Sequence, residues 1–546
     1  MVKRINSHMF ARLIAAFLLI FPFVESSGQA NYYIRVYFRD KGTNPSYDAT
    51  QLLSERALAR REKEGVPPMD FSDFPVNRQY INSIVSMGYR LHSTSKWMNT
   101  ALFETGAPPL TENIRTLPYV ADLKIVKTPG IKSKFINKLD FELFGTGQAP
   151  YDRPITMLNG YSLHKSGFVG KNILIAVLDG GFTSADKIES LKNLRLRNGI
   201  ISTYDFVNNT KFVYNANTHG TAVMSILAGD MPGYIAGTAP AADYLLLKTE
   251  DVNSEFPCEE DFWAAGAEYA DSAGADIISS SLGYYEFDDP SMNYKHSDLD
   301  GNTAFVTRAA DIAASKGILV VNSAGNERDN TWQKIIFPSD GDSVLAIGAV
   351  DENKVISSFS SSGPAADGRI KPDVSAMGVL VPLQTAAGLV SRASGTSFSC
   401  PVISGMCACL LQAVPMAKNY DVITALHEGS DRFPNPDALY GYGIPDMAVV
   451  LGKLQDKYVK IPEEDILLTP NPFRQSFEII FKNAPGTSTI EIYSVAGKLI
   501  HKKTYPASSG RTLRIDALQT SAQGMYIIKV HTDAATYTGR IIKIRE

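Results

Sequence analysis

Cysteine is scarce in this 546-residue chain, with four at positions 258, 400, 407 and 409. Three crowd one segment and none has a CxxC partner or a neighbouring histidine, which argues against a disulfide scaffold or a zinc site. They read as small buried thiols, Cys258 a free one. Long apolar runs are also missing. Leu13 to Val24 gives 12 residues, short of the roughly 18 a membrane span needs. Lys3, Arg4 and Arg12 precede it and ESSGQA follows, the pattern of a secretory signal cut near residues 28 to 30. No transmembrane anchor is expected. Charge of one sign is absent too: Lys+Arg 53 against Asp+Glu 57 gives a net −4, which supplies no basic footprint, so nucleic acid is not an expected partner. Internal repeats are lacking, and 41 Gly and 29 Pro without a period exclude a collagen-like chain.

What is present is a folded, multidomain composition, 44% apolar and 20% charged. At about 150 residues per domain the length predicts three to four modules. Residues 31–150 alternate strand-like runs (Tyr32 to Phe38, Ala101 to Glu104, Ala121 to Thr128) with helical ones (Gln51 to Glu64, Asn77 to Met87), a small α+β domain. From 170 onward, continuous apolar runs at Ile173 to Leu178, Tyr244 to Leu247, Asp276 to Ile278, Gly317 to Val321 and Val344 to Ile347 alternate with Ala-rich helical windows. Such runs suit strands buried on both faces, so residues 151–455 are read as an α/β domain with a parallel sheet sandwiched by helices. A charged linker, 456–465, leads to alternating strands and turns over 466–546, read as a C-terminal β-sandwich.

Four segments carry chemistry. Asp179 ends an apolar strand before Gly180-Gly181, at the strand end where open α/β sheets place their sites, although an Asp before a Gly turn is often structural. His219, in NTHGTA, opens a helix of small apolar residues; alone it is more often structural than catalytic. In SGTSFSCP, Ser397 stands at a helix N-terminus whose free amides favour developing negative charge. Ser394 and Ser399 are rivals that could merely cap that helix, and Pro401 is expected in its first turn. Asn326, in SAGNE, offers an amide NH₂ beside a glycine, suited to an oxyanion or equally to an Asx-turn. Asp298 to Asn302 has Gly at the wrong position for a calcium loop and reads as a turn before a helix from Ala304 to Lys316.

AVLDGGF around Asp179, THGTAVMSILAG around His219, SSSLG at 279–283, SAGNE around Asn326, FSSSGP at 359–364, KPDVSAMG at 371–378 and SGTSFSCP around Ser397 stand in one order across the chain. Together they resemble the subtilisin-like serine protease family, peptidase S8. The order Asp, His, Ser separates it from other families with the same triad. The resemblance implies that His219 is general base and acid, Ser397 the nucleophile, Asp179 the residue orienting the imidazole, and Asn326 with the Ser397 amide the oxyanion hole. Ser281, Leu282, Gly283, Ser323, Ala324 and Gly325 would line the substrate backbone and S1 pocket. No cofactor or metal is required; family members often bind structural calcium through scattered ligands, which are not assignable here. Gly180, Met377 and Cys400 depart from the usual residues, and Gly180 removes a side-chain hydrogen bond to Asp179.

LLSERALARREKEG at 52–65, DFPVNRQYI at 73–81 and SKWMNT at 95–100 resemble the prosegment of Bacteroidetes-type subtilisin-like proteases, implying a removable folding aid and inhibitor. TPNPF at 469–473, IEIYSVAGKLI at 490–500 and GMYIIKV at 524–530 resemble the type IX secretion sorting domain. These imply a zymogen exported through the periplasm to the cell surface or medium, a serine endopeptidase whose partners are peptide substrates, its own prosegment and the type IX machinery. The rival is a non-catalytic surface protein that binds partners on a protease scaffold. The small, uncharged SSSLG and SAGN walls suggest a large apolar P1 residue. The net charge hides a partition: residues 31–150 carry +4, residues 151–462 carry −13 and residues 463–546 carry +3. A basic prosegment against an acidic enzyme predicts salt-sensitive pairing.

Overall fold

The computed structural model describes residues 31–42, 47–131, 133, 139, 141–145, 150–458, 466–507 and 510–544. The expected signal at 1–30 lies outside them, as does most of the expected linker.

The N-terminal module is a four-stranded antiparallel sheet in the order Arg90–Ser95, Thr100–Thr105, Tyr32–Phe38, Val120–Lys127. Ser54 Oγ accepts from Ala57 N, so the first helix starts at Glu55 and runs to Glu64, later than the expected Gln51 because a capping hydroxyl fixes the first turn. Asn77 does the same for Arg78–Val85. Ile34, Val36, Ile81, Ile84, Phe103 and Leu123 fill this module's own core.

The central module holds a seven-stranded parallel sheet. Its order is Val374–Met377, Val344–Val350, Leu319–Ser323, Ile277–Ser280, Leu174–Asp179, Asp243–Lys248, Ile200–Asp205. The expected runs are the inner strands, and the strand order reverses at Leu174–Asp179, the switch point beside which such sheets open a crevice. Met377 closes an edge strand and is buried. The helices His219–Ala228 and Thr396–Ala413 pack on one face, Cys258–Ala273 and Phe305–Ser315 on the other. By length and hydropathy Thr396–Ala413 is apolar enough to cross a membrane, but 83% of it is buried inside the domain, where an all-round apolar helix belongs.

Pro401 falls in the second turn of that helix, not the first as expected. It has no N–H for the carbonyl four residues back, that of Ser397. Ser281 Oγ donates to this carbonyl instead, at 2.9 Å. The Asp298–Asn302 segment is a turn: Asp300 Oδ1 accepts from Asn302 N and Thr303 N, and the helix begins just after it at Phe305. The last helix of the central module, Met447–Tyr458, extends past the 455 boundary drawn from sequence.

The C-terminal module has two facing antiparallel sheets, one of Ile466–Thr469, Phe477–Phe481 and Thr512–Ile515, the other of Leu499–Tyr505, Ser488–Ser494, Gly524–His531 and Thr536–Lys543. Inward residues such as Phe477, Ile479, Ile490, Ile492, Ile528 and Val530 alternate with less buried ones and fill the space between the sheets, as in a sandwich.

Candidate active site

Asp179 ends the switch-point strand and is fully buried. Its carboxylate faces His219 Nδ1 at 2.9 and 3.0 Å, a pair that fixes the imidazole tautomer and orientation. A second donor is the Gly180 backbone N, 2.7 Å from Asp179 Oδ1, so the backbone helps hold the carboxylate where the sequence suggested a lost side-chain bond. A Cβ at Gly180 would stand 2.3 Å from Leu139 Cδ1; glycine here makes room for another part of the chain.

His219 is the first residue of its helix. Its amide, one of those left free at a helix start, donates to Asn217 Oδ1 at 2.6 Å. Gly220 lets the helix press on the Gly181–Phe182 backbone, since a Cβ there would meet Gly181 O at 2.5 Å. Ser397 is the second residue of Thr396–Ala413, a position whose amide has no carbonyl partner within its own helix, while the Thr396 and Phe398 amides on either side donate to Asn326 Oδ1 and Gly395 O. Ser397 Oγ donates to the Ser281 carbonyl at 3.3 Å, a loose arrangement common where no substrate carbonyl is engaged. Of the rivals, Ser394 Oγ accepts from Leu380 N and Ser399 Oγ donates to Thr396 O; Ser399 is buried.

Asn326 is oriented by Thr396, whose N and Oγ1 donate to Asn326 Oδ1 at 2.8 and 3.0 Å. A backbone N–H can bond only the amide oxygen, which leaves Asn326 Nδ2 for the cleft. A cavity of about 540 Å³ brings together His219, Asn326, Ser397 and the expected wall residues Ser281, Leu282, Gly283, Ser323 and Gly325. Ala324 is not among its lining; buried, it donates its N–H to Ile347 O and accepts from Ile336 N. Ile336, Phe359 and Glu327 add to the lining. Glu327 puts a carboxylate, held by Tyr285 Oη at 2.8 Å, beside a wall that looked uncharged in the sequence.

The sequence reading also missed that the chain itself crosses this cleft. Leu139, Phe141, Glu142 and Phe144 form one side of the cavity. Phe144 pairs antiparallel with Arg392, through Phe144 N to Arg392 O at 2.8 Å and the return bond at 3.1 Å. Phe398, which follows the serine, was likewise overlooked and packs its ring against His219.

All four cysteines are buried and unpaired. Cys400, behind Ser397, lies 3.5 Å from Ser280 O and 3.6 Å from Val321 O; burial pushes its thiol up to about 12, so it is inert packing. Among the described residues, Glu250, Glu255 and Glu259 are the one acidic group close enough to hold a metal ion. Two of the three already accept bonds from the protein: Glu259 takes Asp251 N and Phe256 N, and Glu250 takes Tyr284 Oη.

Three family models match separate stretches of the chain. The model of the Bacteroidota peptidase S8 propeptide domain matches residues 33–138, and that of the secretion system C-terminal sorting domain matches residues 468–544. Subtilisin DY of Bacillus licheniformis is 30% identical over 268 residues, 49% of this chain and 85% of that protein. Subtilisin E of Bacillus subtilis is 29% identical over 293 residues, 53% of this chain and 68% of that one. A crystal structure of MycP1 with its N-terminal propeptide removed aligns at TM-score 0.45 and 21% identity, covering 58% of this chain and 99% of that one. The subtilase family model itself matches residues 170–443, half of the chain, and the chain belongs to the subtilase family, peptidase S8.

Proposed function

We propose that this chain is the precursor of an exported serine endopeptidase that cuts peptide bonds through Asp179, His219 and Ser397. The observation that carries the reading is the buried Asp179–His219 pair sharing one cleft with Ser397 and Asn326. His219, held by Asp179, takes the Ser397 proton as the hydroxyl leaves the Ser281 carbonyl and attacks the substrate carbonyl. The oxyanion that forms is met by Asn326 Nδ2 and the Ser397 amide, since fixed donors aimed at developing charge are what such a step needs. His219 then hands its proton to the departing amine, and water releases the acyl group by the same steps in reverse. These steps use no metal or cofactor.

The cleft walls of Leu282, Gly283, Gly325 and Ile336 support a large apolar P1 residue. The sorting domain supports export by the type IX machinery to the cell surface or medium. Ser397→Ala abolishes both peptide hydrolysis and labelling by a fluorophosphonate in the processed enzyme; equal labelling of mutant and wild type would sink the assignment.

A further inference from the structure

We infer that Phe398 and the His219 imidazole form an aromatic subsite for the residue just after the scissile bond, so that the enzyme prefers a large aromatic side chain there. The inference rests on the endopeptidase reading above. Phe398 is 1% exposed, and its ring lies 5.6 Å from that of His219. Phe141 covers both: it meets His219 edge-on at 5.8 Å and 71°, and Phe398 at 5.3 Å and 75°. These are the edge-to-face arrangements that aromatic quadrupoles favour. Once the prosegment and the segment behind it leave, an apolar, ring-sized surface at the nucleophile faces water, and covering it again is favourable.

Chain direction tells which side of the cut this surface serves. Leu139 packs over Gly180 and so beside Asp179, whereas Phe141 lies on His219 and Phe398 and Phe144 runs on to pair with Arg392. Side chains two residues apart in an extended chain share a face, so a substrate laid in this register straddles His219 with two side chains. In such an extended substrate the side chain between those two faces the opposite way, and Leu282, Gly283, Ser323 and Gly325 of the same cavity are the walls left to take it as the acyl-side residue. His219 must deliver its proton to the departing amine. The downstream side chain, in the place of Phe141, therefore belongs to the leaving group.

The test uses the full-length chain allowed to process, and quenched peptides identical except for the residue after the cut. Wild type is expected to cleave the Phe peptide about tenfold faster than the Ala peptide in kcat/KM. Phe398→Ala and Phe398→Leu should bring that ratio close to one, and Phe398→Tyr should keep it. The ratio is taken within each preparation, so a general loss of activity cancels, and fluorophosphonate titration counts the folded sites. Should the alanine variant not fold, the leucine variant and the wild-type ratio decide. A wild-type ratio near one, or one unchanged in both Phe398→Ala and Phe398→Leu, overturns the subsite while leaving the endopeptidase standing. No hydrolysis and no labelling in wild type overturns both.

Discussion

The prosegment and the C-terminal sandwich both dock on the central subtilase domain, but with different chemistry. The prosegment meets the buried acidic face of helix Cys258–Ala273. Arg35 bonds Asp261 at 2.6 and 2.9 Å and lies over the Phe305 ring at 3.7 Å. Asp271 is held by Arg60 and Arg61, and Arg61 also reaches Asp73 of its own module at 2.7 Å. Glu268 accepts from Ser95 Oγ, Lys96 N and Trp97 N at 2.6 to 3.1 Å. The sandwich instead touches through Gln455 Nε2 to Thr512 Oγ1 at 2.6 Å and an Arg511–Asp456 pair whose carboxylate is 67% exposed. Buried charges cannot be left unpaired without large cost, whereas exposed pairs are worth little. The first contact is therefore specific and close to all-or-none, and the second is a tethered one.

The largest expected effect comes from breaking the first. Asp271→Asn leaves Arg61 with Asp73 but deprives Arg60 of its carboxylate, leaving it the carbonyls of Lys316, Ala275 and Asp271. Losing one partner of a buried pair costs about 3–5 kcal/mol, so inhibition of the processed enzyme by added prosegment should weaken by roughly a hundredfold or more. Asp456→Asn removes only the exposed carboxylate of the second pair, and the largely buried Arg511 keeps its bond to Phe481 O at 3.0 Å, so neither activity nor sandwich stability should change by more than about 1 kcal/mol. Equal effects from the two substitutions would erase the distinction drawn here.

Acid sharpens the comparison further, because the two outer modules respond in opposite senses. In the prosegment, burial works to raise Glu104, but hydrogen bonds from His92, Asn31 and Arg90 outweigh it and hold the carboxyl at about 2. A lowered carboxylate stabilises fully above its ordinary range, and that contribution is lost as pH falls toward 2. In the sandwich, burial lifts Glu478 to about 7, only partly countered by Arg514. Ionising it opposes folding, so the sandwich is most stable below the ordinary carboxylate range and weakens as pH rises through about 7. Hydrogen exchange followed peptide by peptide should show prosegment protection falling from pH 5 to 2 and sandwich protection falling from pH 5 to 8. Glu478→Gln should flatten the second trend and leave the first.

The inner strands were legible because continuous apolar runs admit few other structures, and the catalytic segments because their residue types and order recur as a set. Ile200–Asp205 and Arg90–Ser95 were not, since half-exposed strands such as IISTYD carry no such run and depend on partners far away in sequence. The pairing of Ser281 with the carbonyl freed by Pro401 joins segments 116 residues apart, and no local pattern announces it. Leu139 and Phe141 in the cleft are the same case: LDFELF reads as an ordinary connector, and only the path of the whole chain lays it across His219. A close scan of residues next to the serine could have flagged Phe398, a bulky ring among small neighbours.

The charge partition read from sequence sets up the smallest effect. If the opposed +4 and −13 of the two regions acted as a long-range field, raising salt from ~0.05 to ~0.5 M would shorten the Debye length several-fold and cost the prosegment most of its affinity. The contacts say otherwise: Arg35, Arg60, Asp261 and Asp271 are all buried at 4% exposure or less, where salt screens little. Salt should therefore weaken inhibition in the direction the net charges imply, but by less than about threefold, while Asp271→Asn lowers affinity at every salt concentration. A steep salt slope that Asp271→Asn leaves unchanged would mean that the diffuse field, and not the buried arginines, holds the prosegment in place.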